Sequence, residues 1–369
     1  MIRLYWLFLI LPLLSPADVL GQNTAPPPAP SKPAASSQGP TLSLRGPTKR
    51  EIQLYVQATD KSGHPVRGLQ WQDFAILDNN QPQKVASFNV VDSRAMSTSD
   101  SPVEIVLVVD AINTGVREIA YERDEIKKFL LRNGGKLEWP LSFIFFTESG
   151  TNFQNGSSRD GVALADAFDK FAIGLRNPTR YRDGIYGASE RIDLSLKTLS
   201  AVLAHEKMQP GRKLILWIGP GWPLLSPLTT HLGSTDKEGL FGSIVNASTE
   251  IRQDGVTLYS VTQLFPWNSG GTRIRYYENF LKPVTAASQV EPSDMGVQVL
   301  SIQSGGRVIN SSNDLNAAIA SCVADADAYY VLAFDSQPAK EGDEYHSLQV
   351  TVDKPGITVR TRTGYYDQR

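Results

Sequence analysis

Cysteine is nearly absent from this chain of 369 residues, which contains only Cys322. A single thiol forms no intramolecular disulfide, and it excludes every zinc site that needs several cysteines. Because Cys322 lies in the apolar segment Ala-Ser-Cys-Val-Ala, we expect a buried structural thiol rather than a reactive one.

An excess of charge of one sign is also lacking. The 36 basic and 38 acidic residues give a formal net charge of -2, so the chain has no basic footprint for nucleic acid. Walker-A and G-x-S-x-G motifs are missing, and the four histidines are too scattered for a zinc-binding H-E-x-x-H pair. Residues 219–221 read Gly-Pro-Gly, but Leu224 stands where a dinucleotide loop has its third glycine, which favours a structural turn.

No apolar run is long enough to span a bilayer. Arg3 precedes an apolar stretch over residues 4–14, which is short and broken by Pro12, and this pattern is typical of a signal peptide ending near residue 21. Residues 22–46 are rich in proline, alanine and serine and predict an unstructured linker. We therefore expect an exported protein, periplasmic or secreted, with no transmembrane segment in the mature chain.

The longest informative stretch covers residues 103–114 and reads V-E-I-V-L-V-V-D-A-I-N-T. Continuous β-branched residues and leucine predict a central strand that is buried on both faces of a parallel sheet. The run ends in Asp110, Asn113 and Thr114, at the carboxyl end of the predicted strand. Open α/β sheets bind their ligands at that edge, so these three polar residues are the first candidates for a site.

Strand and helix signals alternate from residue 102 to residue 326. This alternation predicts an α/β domain with a doubly wound, mostly parallel sheet. Residues 47–92 and 327–369 contain short strands separated by turns, and neither segment is long enough for a core of its own. We expect these two segments to pair with each other as a smaller β module.

Three stretches resemble a known family. The first is N-terminal and covers residues 60–88. The second belongs to the core and has two parts, D-A-I-N-T and P-G-R-K-L-I-L-W-I-G-P-G-W-P. The third is C-terminal and has three parts, Y-Y-V-L-A-F-D, H-S-L-Q-V-T-V and T-R-T-G-Y-Y. Together they resemble the von Willebrand factor type A (VWA) fold and, more narrowly, the VWFA-related proteins of the Acidobacteria. The resemblance covers most of the chain after residue 47. It implies a Rossmann-like α/β domain and leaves the biochemical activity open.

The resemblance also implies a place for a divalent cation, which this family binds through an Asp-x-Ser-x-Ser loop, a threonine and a second aspartate. Asp110 matches the first aspartate and Thr114 keeps a hydroxyl, but Ile112 replaces a serine. Asp183 stands where the threonine is expected, and residues 219–221 offer no carboxylate. Two interpretations stay open: a metal-free remnant, or a degenerate Mg²⁺ or Ca²⁺ site formed by Asp110, Thr114 and Asp183.

Aromatic side chains follow the predicted core strands. If their loops converge, Trp222 and Trp267 would form with Asn113 a protein-binding rim; the alternative is that the aromatic residues belong to the core. We expect a non-enzymatic, adhesion-like interaction module with an unidentified protein partner and no cofactor. The alternatives are a cation-dependent adhesion module centred on Asp110 and an exported hydrolase.

Overall fold

Strands and amphipathic helices follow the hydrophobic pattern along the chain. The computed structural model describes residues 41–43, 50–95, 103–172, 185–224, 232–262, 277–310, 313–337 and 342–367. The strands are β1 (Thr41–Ser43), β2 (Glu51–Thr59), β3 (Phe74–Asp78), β4 (Gln81–Gln83), β5 (Ser87–Asp92), β6 (Val103–Asp110), β7 (Lys136–Thr147), β8 (Gly150–Phe153), β9 (Ser158–Asp160), β10 (Arg212–Ile218), β11 (Val256–Val261), β12 (Val308–Ile309), β13 (Ala328–Asp335), β14 (Glu344–Val352), β15 (Thr358–Arg360) and β16 (Gly364–Asp367). The helices are α1 (Val116–Leu130), α2 (Gly161–Ala172), α3 (Ile185–Lys207), α4 (Ser234–Gln253), α5 (Val297–Gln303) and α6 (Leu315–Val323).

The largest sheet has seven strands in the order β12-β11-β10-β6-β7-β8, with β9 also paired to β7. Its pairs are parallel, except that β8 and β9 run antiparallel to β7. The apolar run of β6 lies between β10 and β7, which explains why almost all of its side chains are buried. The chain goes from β6 to β7 on one side and then crosses to β10 on the other. The strand order therefore reverses next to β6, at a topological switch point.

Helices cover both faces of this sheet. Because side chains alternate along a strand, Ile105 and Leu107 of β6 belong to one core with residues of α1, α2 and α6. Val106 and Val108 belong to the opposite core with residues of α3, α4 and α5. A strand that must contact helices on both sides can be apolar at consecutive positions, which is the pattern of residues 105–109 in β6.

Two antiparallel sheets form the smaller β module. One has the order β1-β5-β13-β2-β15 and the other the order β16-β14-β3-β4. The first strands of the chain pair with the last ones, since β2 lies beside β13 and β3 lies beside β14. Their facing side chains, such as Leu54, Leu332, Ile76 and Val350, share one core. Each terminal segment supplies strands to both sheets, so neither could form this core alone.

The β module packs directly against the α/β part. The Arg212 guanidinium, at the start of β10, lies 4.2 Å from the ring centre of Tyr329 and 4.9 Å from that of Tyr55. The amide of Gln57 donates a hydrogen bond of 2.5 Å to the backbone oxygen of Asp325. These contacts belong to one compact unit that spans residues 37–369. The fold is thus a mixed α/β structure with one mostly parallel and two antiparallel sheets.

The predicted signal peptide and most of the predicted linker lie outside the described residues. In the segments that the structure describes, no helix combines the length and the apolar character that a membrane span requires.

Candidate functional site

Asp110 ends β6 at the switch point and is 0% exposed. Its Oδ1 atom accepts hydrogen bonds from the backbone N–H groups of Ile112 (3.1 Å) and Asn113 (2.9 Å). The side-chain amide of Asn113 donates to both carboxylate oxygens, at 3.2 Å and 2.9 Å. The indole Nε1 of Trp217, on the neighbouring strand β10, donates to Oδ2 at 2.9 Å. Both oxygens of the buried carboxylate are therefore occupied by N–H donors of the chain itself.

Burial and these hydrogen bonds shift the pKa of Asp110 in opposite directions. Burial raises the pKa of the carboxyl group, whereas the N–H donors of Asn113, Trp217 and Ile112 lower it; burial has the larger effect and the pKa is raised. A cation could bind this carboxylate only by displacing the Asn113 amide or the Trp217 indole.

Thr114, the second residue of the predicted cation site, lies in the loop that follows Asp110. Thr114 is buried, and its Oγ1 atom has no hydrogen-bond partner among the described residues. Gly219 comes so close that a Cβ atom there would lie 2.7 Å from this Oγ1 and 3.1 Å from the Cβ of Asp110. No carboxylate side chain fits at that position. Asp183 lies outside the described residues, within which no group of three His, Cys, Asp or Glu residues is arranged to hold a metal ion.

Two glutamates on α1 make the surroundings of Asp110 acidic. Glu118 and Glu122 lie one helical turn apart and both are buried. Burial raises the pKa of Glu122 well above its usual value, and the charges of Asp110 and Glu118 raise it further. The Oε2 atom of Glu122 has no partner in the described part of the chain. The burial of these two glutamates could have been inferred from the sequence, since both lie on the same face of α1 as Phe129.

The predicted partner-binding residues differ in how far solvent reaches them, and one of them lies outside the described residues. Asn113 is half-buried, and its amide also donates to the Oγ of Ser195 at 3.1 Å. Trp222 is only 2% exposed and packs edge-to-face on Trp217, with 5.4 Å between ring centres. Trp222 is thus part of the core, as in the second of our two interpretations, and a partner would reach it only after the loop opens. Trp267 lies outside the described residues.

The hydrolase alternative requires a general base beside Asp110. The side chains that hydrogen-bond to Asp110 belong to Asn113 and Trp217, and neither is a base. The carboxyl group of Glu122 is close enough for its charge to interact with that of Asp110, so the hydrolase alternative stays a prediction. Two histidine–aspartate pairs lie in the β module: His346 Nδ1 is 2.9 Å from Asp78 Oδ1, and His64 Nδ1 is 3.6 Å from Asp60 Oδ2. His346 and Asp78 are buried between strands, whereas His64 and Asp60 are exposed next to the turn after β2.

The chain matches no family model and no curated protein. Solved structures similar to it include the pilus adhesin SpaC from Lactobacillus rhamnosus GG, with a TM-score of 0.39, 12% identity and coverage of 85% of this chain and 49% of SpaC. The VWA domain of SpRpn10 has a TM-score of 0.29, 8% identity and coverage of 59% and 93%, respectively. The human COPII-coat protein Sec24c has a TM-score of 0.35, 9% identity and coverage of 75% and 46%. The chain spans about half the length of SpaC and of Sec24c. At such TM-scores the likeness assigns no function.

Proposed function

We propose that this chain is an exported, non-enzymatic interaction module of the VWA type, more narrowly one of the VWFA-related proteins of the Acidobacteria. It binds a protein partner through the loops at the carboxyl edge of its parallel sheet. The observation that carries this proposal is the hydrogen bonding of Asp110 at the switch point. Trp217 and Asn113 hold its carboxylate, so residues 110–114 are organised without a cation.

A loop that is already ordered favours binding, because less conformational entropy is lost when the partner arrives. Asn113 is the half-buried residue of this loop and supplies the polar contact in our proposal. Trp267 would add an aromatic contact, and Trp222 would join it if its loop opened on binding. The partner itself stays unidentified; the proposal involves neither nucleic acid nor a cofactor.

The proposal is tested by crosslinking the exported protein in its native host, once as wild type and once as Asn113→Arg. The variant Arg123→Gln provides the control, because Arg123 is a partly exposed residue of α1 outside the proposed surface. We expect one crosslinked partner for the wild type and Arg123→Gln, in EDTA as well as in Mg²⁺, and its loss in Asn113→Arg. Equal crosslinking by all three proteins would refute binding at this edge.

A cation-dependent adhesion module is the second candidate. The buried Thr114 hydroxyl favours it, because this oxygen has no partner among the described residues. In that case crosslinking would disappear in EDTA and return with Mg²⁺ or Ca²⁺. The same experiment therefore separates the two candidates.

A further inference from the structure

Two arginines at the opposite edge of the parallel sheet from Asp110 lie close enough for the charge of Arg252 to act on Arg362. Arg252 is in the last turn of α4, just before β11 begins, and Arg362 is in the connection between β15 and β16. The two elements pack against each other, with 6.0 Å between the ring centres of Phe241 on α4 and Tyr366 on β16. Arg362 is only 7% exposed, and Arg252 is half-buried.

Two tyrosine hydroxyls border the same place. A Cβ atom at Gly255, three residues after Arg252, would lie 2.9 Å from the hydroxyl of Tyr55. A Cβ atom at Gly364, two residues after Arg362, would lie 2.1 Å from the hydroxyl of Tyr345. The cluster therefore combines two guanidinium groups and two phenols from four different segments of the chain.

Neither arginine has the kind of partner that other buried arginines of this protein have. Arg360 donates to a carboxylate oxygen of Asp325 at 2.5 Å, and Arg212 lies over two aromatic rings. In contrast, no carboxylate among the described residues lies within ion-pair distance of Arg362 or Arg252, and the Nε atom of Arg252 is buried without a partner. Burial lowers the pKa of Arg252, and the charges of Tyr365 and then Asp367 offset only part of this effect.

An unpaired buried cation is costly, and a second cation beside it adds to the cost. Burial, followed by the charge of Arg252, lowers the pKa of Arg362 to about 9. A guanidinium presents its N–H groups in a planar fork that matches the oxygens of phosphate or carboxylate groups. A bound anion would therefore offset the electrostatic cost of burying both positive charges.

We propose that Arg252 and Arg362, bordered by the hydroxyls of Tyr55 and Tyr345, form a binding site for a small oxyanion at the joint between the α/β part and the β module. Phosphate, sulfate and a carboxylate share the required chemistry. Half-buried Arg252 provides the approach from solvent, and Arg362 provides the desolvated contact. The bound anion joins α4 to the strands of the β module.

The test is thermal unfolding of the whole protein in Tris buffer while phosphate replaces chloride at constant ionic strength. We expect a saturable rise of the midpoint for the wild type, and at least a tenfold weaker apparent affinity for Arg252→Gln. Arg362→Met should melt higher than the wild type without phosphate, since it replaces an unpaired buried charge by an apolar chain of similar length. It should not respond to phosphate.

The surface variant Arg123→Gln serves as the control and should respond to phosphate like the wild type. Parallel titrations with sulfate and acetate show whether the site prefers tetrahedral oxyanions or carboxylates. A wild-type midpoint that stays constant up to 100-millimolar phosphate, at about 100 times a millimolar dissociation constant, would overturn the proposal. An unchanged phosphate response in Arg252→Gln would overturn it as well, even if Arg362→Met fails to fold.

Discussion

Asp110 is a buried acid whose partners come from the chain itself. Its position after an apolar run could be predicted from the sequence, because continuous β-branched residues specify a central strand. Its partner on the neighbouring strand could not, since Trp217 is 107 residues away and only the parallel register of β6 and β10 brings the indole to Oδ2. The positions of Asp183 and Trp267 stay predictions.

Removal of the indole donor should destabilise the fold without creating a dependence on cations. In Trp217→Phe one oxygen of a buried carboxylate loses one of its two N–H donors, which costs about 1–3 kcal/mol of unfolding free energy. Trp139→Phe is a matched control, because the Trp139 indole donates to Asp327 at 3.0 Å elsewhere in the protein. Urea unfolding in EDTA and in millimolar Mg²⁺ or Ca²⁺ measures both effects.

We expect superimposed curves with and without cations for the wild type and for both tryptophan variants. A ligand at about 100 times its dissociation constant would add about 2.7 kcal/mol, which is easily resolved. A cation-dependent gain in the wild type that Asp110→Ala abolishes would instead support the degenerate metal site.

Glu122 should make the protein less stable as the pH rises. Its folded-state pKa is raised well above the usual 4.5 by burial, then by Asp110 and Glu118, so the folded protein binds this proton more tightly than the unfolded chain does. The stabilisation is fully present below the usual pKa and is lost as the pH rises through the raised one. Glu122→Gln should remove this loss and raise the free energy of unfolding by roughly 2 kcal/mol over that of the wild type at pH 8. Urea unfolding between pH 4 and pH 8 measures this difference.

Asp124→Asn is the control for this pH profile, because Asp124 is an exposed carboxylate on the same helix. Its profile should parallel that of the wild type. If Glu122→Gln also follows the wild-type profile, the proton at Glu122 is not what links stability to pH.

At the level of elements, the loop after β10 is restricted by its first residue. Gly219 has a φ of 126°, which side-chain-bearing residues rarely adopt, and it contacts Thr114 and Asp110. Gly219→Ala should therefore cost about 3 kcal/mol through backbone strain and the clash with Thr114 Oγ1. Thermal unfolding is the measurement.

Gly239 on α4 is the matched control for Gly219. It is exposed, and nothing lies within 4 Å of an added Cβ atom, so Gly239→Ala should stabilise the protein by about 1 kcal/mol. Equal effects of the two substitutions would mean that the loop after β10 can move away from Thr114.

Element types could be predicted from the sequence more easily than element boundaries. The spacing of Ile119 and Ile126 predicts α1 and its buried face, and the turn residues after β7 predict a short antiparallel strand where β8 lies. Thr235 and Glu238 have the spacing of a capping box, which predicts that α4 starts at Thr235. In the structure α4 begins at Ser234, and the carboxylate of Asp236 accepts from the N–H of Gly233 at 3.2 Å. Neighbouring polar residues offer alternative caps, and packing decides between them.

At the level of the whole molecule, the β module and the α/β part should unfold together. Leu332 is fully buried in the β module, so Leu332→Ala should cost about 2–5 kcal/mol by leaving a cavity. Cys322 is fully buried on the other side of the joint, where burial raises its pKa to about 12. Its labelling by a thiol reagent therefore reports opening of the α/β part.

We expect Leu332→Ala to accelerate the labelling of Cys322 by the same factor by which it raises the equilibrium constant of global unfolding. The conservative change Ile309→Val, at the edge strand β12, should alter labelling only slightly. Faster unfolding of the β module by circular dichroism without faster labelling of Cys322 would show that the two parts open independently.

The interleaving of the two chain ends determines when this protein can complete its fold during synthesis. The Gln57–Asp325 and Asp78–His346 contacts each join residues that are 268 positions apart. At roughly 5–20 residues per second, a ribosome needs on the order of 15–50 seconds between the two partners of such a contact. Throughout that interval the first strands have open edges and exposed apolar faces. We expect the nascent chain to need a holding chaperone during that interval. A stop codon even a few dozen residues early would leave the amino-terminal strands without partners and prone to aggregation.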